Sequence, residues 1–415
     1  MSDAETLDAA AQAEGLLTYR ERARSWLAEH APAYSGAARS GLSAEEDLAM
    51  GRSWQRLKAE HGYACITLPR AYGGGGGSEL EKIVFGEEEL KYDLPTVYFG
   101  VSLGMPVPMM LRYADPEIAK ALLPRAIRGD DIWCQMFSEP AAGSDLAALR
   151  TRAMPATRDG VEGWLLSGQK VWTSWAQFAA WGIIVARSDP SVPKHAGLTF
   201  FYLDMRSPGI EVRQIRKLAG ETEINEVFLN DVFVPDSQRM GPVGAGFRVA
   251  IETLMIERYS VSDESLSGPT IERFVAFAQS ARIHGKPALD DGEVRAMIAD
   301  TLVERQGLRS IHRRALDAIG AGREPGPEGA IRKLLLGRRR QQLGAATLDL
   351  MGPAGAVLAD GLTTAQDFAW SWIDSPGPRI AGGTDEILRN TIAEKVLGLP
   401  QDHRPDKGVP FNQPR

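Results

Sequence analysis

Cysteine is nearly missing from this sequence: two residues among 415, Cys65 and Cys134, both set among apolar neighbours. Neither a disulfide framework nor a thiolate metal site can be built from such a pair. The six histidines are scattered, with no pair at i, i+4 and no HExxH, so no zinc centre is expected. Clustered basic charge is also scarce. A net charge of -7 argues against a general polyanion binder such as a nucleic-acid protein. The one basic run, "IRKLLLGRRRQQLG" from Ile331 to Gly344, interleaves its charges with leucines at helical spacing and reads as a half-solvated helix. No apolar stretch approaches the length that spans a bilayer, so no membrane association is expected. The opening "MSDAETLDAAAQAEGL" has neither a basic n-region nor an apolar h-region, which points to the cytoplasm.

What remains is ordinary for a globular protein, with 44% hydrophobic and 24% charged residues, in a chain long enough for two or three structural units. Up to about Gly129, stretches such as "LTYRERARSWLAEH" and "SELEKIVFGEEELKYD" space their apolar residues by three and four, as helices do. The five glycines Gly73 to Gly77 lack the Lys-Ser or Lys-Thr of a phosphate loop and read as a flexible turn between helices. From Asp131 to about Pro235 the texture changes to short runs rich in Val, Ile, Phe and Trp, bounded by Gly, Pro, Asp and Ser, as strands are. Helical periodicity returns at Gly246 and continues to Leu397. Without alternating βαβ units, an all-parallel dinucleotide fold is disfavoured. The expected architecture is α+β: a helical domain over 1–129, a small β-barrel or sandwich over 130–240, a helical bundle over 241–400 and a tail over 401–415.

Three stretches carry chemistry. In "WCQMFSEPAAGSDLAALRT", Trp133 to Thr151, the small residues around Ser138, Gly143 and Ser144 let backbone and hydroxyl groups approach a bulky polar ligand. In "GQKVWTSWAQFAAWG", Trp172 offers a flat apolar wall and Ser174 a hydroxyl two residues along the strand, on the same face. In "IAGGTDEILRNTIAEKVLGLP", a glycine pair and Thr384 open a helix, whose first N–H groups suit a phosphate or a developing anion. Taken alone, Trp172 could be core, the serines turn residues, and Glu139 and Asp145 simple caps.

Together these segments resemble the flavin-dependent acyl-CoA dehydrogenases, from about Leu16 to Pro400. "SEPAAGSD" is similar to that family's Thr/Ser-Glu-Pro-x-Ala-Gly-Ser-Asp signature, and "KVWTS" and "GGTDEILRN" recur at the family's spacings. The resemblance implies the helix, strand, helix order, a C-terminal four-helix bundle, and FAD as cofactor. It implies that the flavin ring lies against Trp172, that Phe137 and Ser138 hold its pyrimidine side, that Ser174 sits near N5, and that Gln135 is among the cofactor-binding residues. Ser144 would meet both the flavin phosphates and the acyl-CoA, Thr384 and Glu386 would bind the adenine end, and Gly143 and Gly383 would belong to the same cofactor-binding set. The family also lends an Arg from a neighbouring subunit; Arg282 of "ARIHGKP" corresponds, one place nearer to Gly285 than in the family's motif. A homo-oligomer, dimer or tetramer, and electron-transfer flavoprotein as electron acceptor are likewise implied.

In many members a glutamate directly before the Gly-Thr of the third stretch removes the α-proton of the substrate while hydride leaves the β-carbon. Here that place is Gly382, which has no carboxylate. A smaller branch carries the base within a Glu-Arg pair on the helix after the β domain, and Glu257 of "TLMIERYS" matches it. Helical spacing sets Ala250, Leu254, Glu257 and Val261 on one face, so Glu257 is expected to look inward. Shielded by Leu254 and Met255, its carboxyl would rise towards neutrality, as a general base requires. The Gly382 N–H would remain as a donor to the thioester oxygen, and Met255 and Arg258 are expected to touch substrate. The reading is an acyl-CoA dehydrogenase forming a trans-2-enoyl-CoA in fatty acid β-oxidation, with the acyl group left open between straight, branched, aromatic and steroid-derived. A flavin monooxygenase or oxidase on the same fold, and one subunit of a heteromeric dehydrogenase, are the alternatives.

Overall fold

The computed structural model describes residues 3–260, 270–321, 323, 326–357 and 364–413, with side chains left undescribed at 3–13, 37, 256–260, 319–320 and 364–367. The chain divides into two compact units: Met1–Ile215 with Thr222–Ile256 and Pro405–Arg415, and Arg216–Glu221 with Glu257–Arg404.

In the first unit, the long helices Asp3–His30, Ala44–Glu60 and Glu79–Glu89 open the chain. Ser43 and Ser78 each start a helix with a capping box, closed by Glu46 and Glu81, which satisfies two otherwise orphaned N–H groups per helix. Tyr19, Leu27, Trp54, Tyr63 and Phe85 form their common core. The glycine run between the second and third helices is not the flexible turn that composition suggested. Its backbone is pinned by Gly75 N to Cys65 O at 3.3 Å, Gly76 N to Leu68 O at 2.9 Å and Gly77 N to Ile66 O at 2.7 Å. A Cβ at Gly74 would lie 2.3 Å from Leu68 O, and one at Gly75 2.3 Å from Gly62 O. The glycines are there because two backbone segments touch.

Seven strands follow: β1 Ile132–Met136, β2 Arg152–Arg158, β3 Val161–Ser174, β4 Ala179–Arg187, β5 Leu198–Asp204, β6 Ile210–Ile215 and β7 Ile224–Pro235. They form one curled sheet in the order β1-β4-β2-β3-β7-β6, with β5 on β4. β1 pairs with β4 in parallel and β2 meets β4 only at Arg187, so both share one edge of β4 while β5 takes the other. Asp159 and Gly160, at φ 52° and 77°, make the two-residue turn that sets β2 against β3. The continuous apolar runs of β4 and β5 are explained by burial of both faces. Ile183, Val185, Phe200 and Tyr202 pack on one side with Met109, Met110, Leu123 and Ile127 of the helices Pro106–Tyr113 and Pro116–Ile127. Ile184, Ala186, Phe201 and Leu203 pack on the other, inside the curl, against Val227, Leu229, Val232 and Val234 of β7.

In the second unit, the helices Ile271–Ser280, Gly292–Gly320, Gly329–Met351 and Thr364–Asp374 each contribute to one core through Phe274, Val294, Leu343 and Phe368. The basic run lies on the third of these helices and is less solvated than its pattern suggested. Arg339 and Arg340 are buried; Arg340 donates to Ser371 Oγ at 2.9 Å and Asp374 Oδ2 at 3.0 Å, and Arg339 lies 3.6 Å from Glu304. Two of its cations are therefore internal tethers between helices.

Candidate active site

The signature segment "SEPAAGSD" leaves the end of β1 and is held from beneath. Ser138 O accepts from Val171 N at 2.9 Å, which extends the β1 backbone alongside β3. Glu139, buried, accepts from the backbone N–H groups of Arg150 and Thr151 at 2.7 and 2.9 Å and from Lys170 Nζ at 2.9 Å. Lys170, wholly buried, also donates to Phe137 O at 3.1 Å and Val185 O at 2.9 Å. Burial pulls the Lys170 ammonium down to about 8, against the attraction of Glu139. Burial acts on Glu139 in the opposite sense, but Lys170 and the two N–H donors outweigh it and hold the carboxyl below its ordinary value. At the far end of the segment, Asp145 is gripped by Lys194 at 2.8 Å, and Lys194 also reaches Asp406 at 2.7 Å.

Trp172 stands on an irregularity of β3, where the register to β7 shifts between Lys170 and Thr173. Its φ of 61° is the left-handed region that a bulky residue avoids, and its side chain is 60% exposed. Nothing in the core is served by that arrangement. Trp175, three residues on, is also left-handed at φ 60°, and its ring packs against Tyr98 at 4.6 Å between centroids. Ser174, half-buried, pairs in register with Ile224. Phe137 is buried, Ser138 is half-buried, and Gln135 carries a buried Nε2 with no partner among the described residues. Gly143 and Ser144 are exposed, and a Cβ at Gly143 would meet nothing within 4 Å. The chain itself therefore has no steric need of glycine there.

A helix is present at Gly246–Ser260, the segment expected to be helical. On it, Ala250 is buried, Leu254 is half-buried against the main core, and Met255 is 38% exposed. The side chains of Glu257 and Arg258 lie outside the described residues. In the second unit, Gly382 and Gly383 have φ of 64° and 101°, both left-handed. Thr384 caps the following Asp385–Thr391 helix, its hydroxyl accepting from Ile387 N at 3.2 Å. Lys333 Nζ donates to Gly383 O, and Asp385 is locked to Arg379 at 2.5 Å, which fixes the bend from both sides. Among the described residues, the Gly382 N–H donates to no other group. Glu386 is exposed on the first turn. Arg282 is exposed on a two-residue hairpin and bonds its own turn, Nη1 to Gly285 O at 3.3 Å.

The structure thus brings Gln135, Phe137, Ser138, Gly143, Ser144, Trp172 and Ser174 to one end of the β1 and β3 strands, and Gly382, Gly383, Thr384 and Glu386 to one bend of the helical unit. Sequence reasoning missed Lys170 and Arg187. Arg187, 4% exposed, donates to Lys194 O at 2.7 Å and Ala147 O at 2.5 Å, and lies 3.8 Å over the ring of Phe411. A lysine inside the strand pattern "GQKVW" was the available signal for the first, since a buried cation requires an acid. Among the described residues there is no cluster of metal-ligating side chains, and no helix is long and apolar enough to cross a membrane.

An arrangement of exposed indole, open glycine loop and unpartnered buried amide at a strand end is a site for a large planar ligand that carries polar groups. The chain matches the N-terminal, middle and C-terminal domains of acyl-CoA dehydrogenase over residues 14–130, 134–232 and 244–397. It is 34% identical to the acyl-CoA dehydrogenase IpdE1 of Mycolicibacterium smegmatis, over 92% of this chain and 98% of that protein. It is 37% identical to the acyl-CoA dehydrogenase FadE34 of Mycobacterium tuberculosis, over 83% of this chain but only 45% of that longer protein. In fold it is similar to the Tcur3481-Tcur3483 steroid acyl-CoA dehydrogenase, with a TM-score of 0.77 at 24% identity, covering 94% and 98% of the two chains. Butyryl-CoA dehydrogenase of Megasphaera elsdenii gives 0.73 at 21% identity, covering 92% and 98%. The chain belongs to the acyl-CoA dehydrogenase family. It is an oxidoreductase with FAD as its cofactor.

The residues present fit that cofactor. Gln135 Nε2 is a buried donor without an acceptor, Trp172 holds a planar face in solvent, and Gly143 leaves room where the backbone must be approached closely.

Proposed function

We propose that the protein introduces a 2,3 double bond into an acyl-CoA thioester, with Glu257 as the base that takes the α-proton. Bound FAD supplies the hydride acceptor. Trp172 would wall one side of the flavin, Gln135, Phe137, Ser138 and Ser174 would fix its ring, and Gly143 and Ser144 would meet its phosphates. Gly383, Thr384 and Glu386 would hold the adenine end, with Arg282 supplied from a second copy of the chain. The Gly382 N–H would donate to the thioester oxygen as negative charge builds there, which lowers the barrier to proton removal. Met255 and Arg258 would line the substrate.

The observation that carries this reading is Gly382: a left-handed glycine whose N–H, among the described residues, is uncommitted, at the bend where many members of the family hold their base. The donor remains and the carboxylate is absent, so the acceptor has to come from elsewhere, and Glu257 on the Gly246–Ser260 helix is the matching acid. The Glu257→Gln protein should fold and retain flavin but fail to bleach anaerobically on addition of acyl-CoA. Bleaching at the wild-type rate would sink the assignment, and a panel of straight, branched, aromatic and steroid-derived acyl-CoAs would name the substrate. The protein would pass its electrons to an electron-transfer flavoprotein and act as a homo-oligomer, dimer or tetramer, in cytoplasmic β-oxidation.

The same glycine supports a second reading, in which the chain completes the site of a different subunit. The untagged chain purified alone would then hold no flavin, whereas a self-sufficient enzyme holds it stoichiometrically.

A further inference from the structure

The first unit contains a cavity of about 630 Å³ at the flank of the signature loop, between β2, the loop after β4 and the C-terminal tail. Arg150, Arg152 and Arg187 line it, and none of its lining residues is acidic, in a chain whose net charge is -7. Arg150 and Arg152 are exposed and, among the described residues, their side chains have neither an ion pair nor a hydrogen bond. Arg187 is 4% exposed and fixed by three backbone carbonyls, yet its buried Nε has no partner. Its guanidinium lies 3.8 Å over the Phe411 ring, which the tail holds through Phe411 N to Val192 O at 2.9 Å and Asn412 N to Pro190 O at 3.0 Å.

Glu139, Asp145 and Asp189 offset the charge of Arg187, but Arg150 and Arg152 have no such partner among the described residues, and two free guanidinium forks on one wall suit an anion with several oxygens, which arginine recognises best as phosphate. Met154, Pro190 and Phe411 add apolar wall beside the polar Ser188 and Gln413, with room for a heterocycle. We propose that this cavity binds a nucleotide diphosphate, with the phosphates on Arg150 and Arg152 and the ring against Met154 and Phe411. That chemistry is shared by free ADP and by the nucleotide end of a CoA thioester; the second source rests on the acyl-CoA reading above.

The test is ADP binding to the flavin-loaded protein by titration calorimetry at low salt. Arg150→Ala/Arg152→Ala should weaken ADP at least tenfold while flavin content and thermal midpoint stay at the wild-type values, and wild-type affinity should fall as salt is raised. Displacement of ADP by an acyl-CoA assigns the cavity to the substrate's nucleotide end. Failure of acyl-CoA to displace it assigns a free-nucleotide site, and either result supports the proposal. No ADP binding by the wild-type protein, equal affinity in the double variant, or loss of flavin from that variant would overturn it. Because the readout is binding, Glu257→Gln should bind ADP like the wild type, which separates this outcome from the fate of the catalytic assignment.

Discussion

The Glu139 carboxylate and the Lys170 ammonium stand 2.9 Å apart in the interior, with Lys170 fully buried and Glu139 7% exposed at its side chain. They tie the loop after β1 to β3, two of the segments on which candidate flavin-binding residues ride. Lys170 also donates to Phe137 O, so one cation sets the backbone on both sides of Ser138.

Removing one partner strands the other. Lys170→Met should destabilise the protein by about 3–5 kcal/mol in urea denaturation, because the Glu139 charge loses its partner. Glu139→Gln/Lys170→Met should cost less than the sum of the two single changes, and strict additivity would deny the coupling.

Trp172 is expected to contribute to binding rather than to folding. Since its ring is 60% exposed, Trp172→Ala should shift the stability of flavin-free protein by no more than about 0.5 kcal/mol. The same change should weaken flavin retention measurably by dialysis and fluorescence. A large loss of stability with unaltered flavin affinity would reverse the assignment.

Two glycines should respond in opposite ways to an added methyl. Gly75→Ala drives a Cβ to 2.3 Å from Gly62 O and should cost about 1–3 kcal/mol in thermal or urea unfolding. Gly143→Ala meets no protein atom within 4 Å, so the fold should tolerate it, while cofactor or acyl-CoA binding should suffer.

Acid should loosen the N-terminal helices first through Glu88. Arg24, Lys91 and Arg20 all bond its buried carboxylate and together hold it down to about 2, against the opposing effect of burial. A depressed carboxyl stabilises above its ordinary value near 4.5, and the contribution fades as pH falls towards 2. The difference in thermal midpoint between wild type and Glu88→Gln should therefore be largest above pH 4.5 and shrink towards pH 2. A difference independent of pH would exclude this linkage.

Much of this protein was legible from order alone. Apolar spacing of three and four marked the helices, and the runs "WGIIVARSD" and "GLTFFYLDM" marked strands, because side-chain period follows directly from backbone geometry. The segments around Ser138, Trp172 and Thr384 stood out through their resemblance to the family's motifs, since by themselves Trp172 could have been core and the serines turn residues. Composition misled at Gly73 to Gly77, where close backbone contact and not mobility demands glycine, and at Arg339 and Arg340, whose partners Glu304, Ser371 and Asp374 lie far away in the chain.

The sequence by itself determined the kinds of element and their order, for these depend on local pattern; through its resemblance to the family it also named candidate flavin-binding residues. Only the tertiary structure decided that Lys170 neutralises Glu139 under the signature loop, that Trp172 is held out on left-handed backbone, and that the tail places Phe411 on Arg187. Burial and pairing between residues tens to hundreds of positions apart leave no periodic trace in one chain. They arise when the sheet curls and the segments close upon each other.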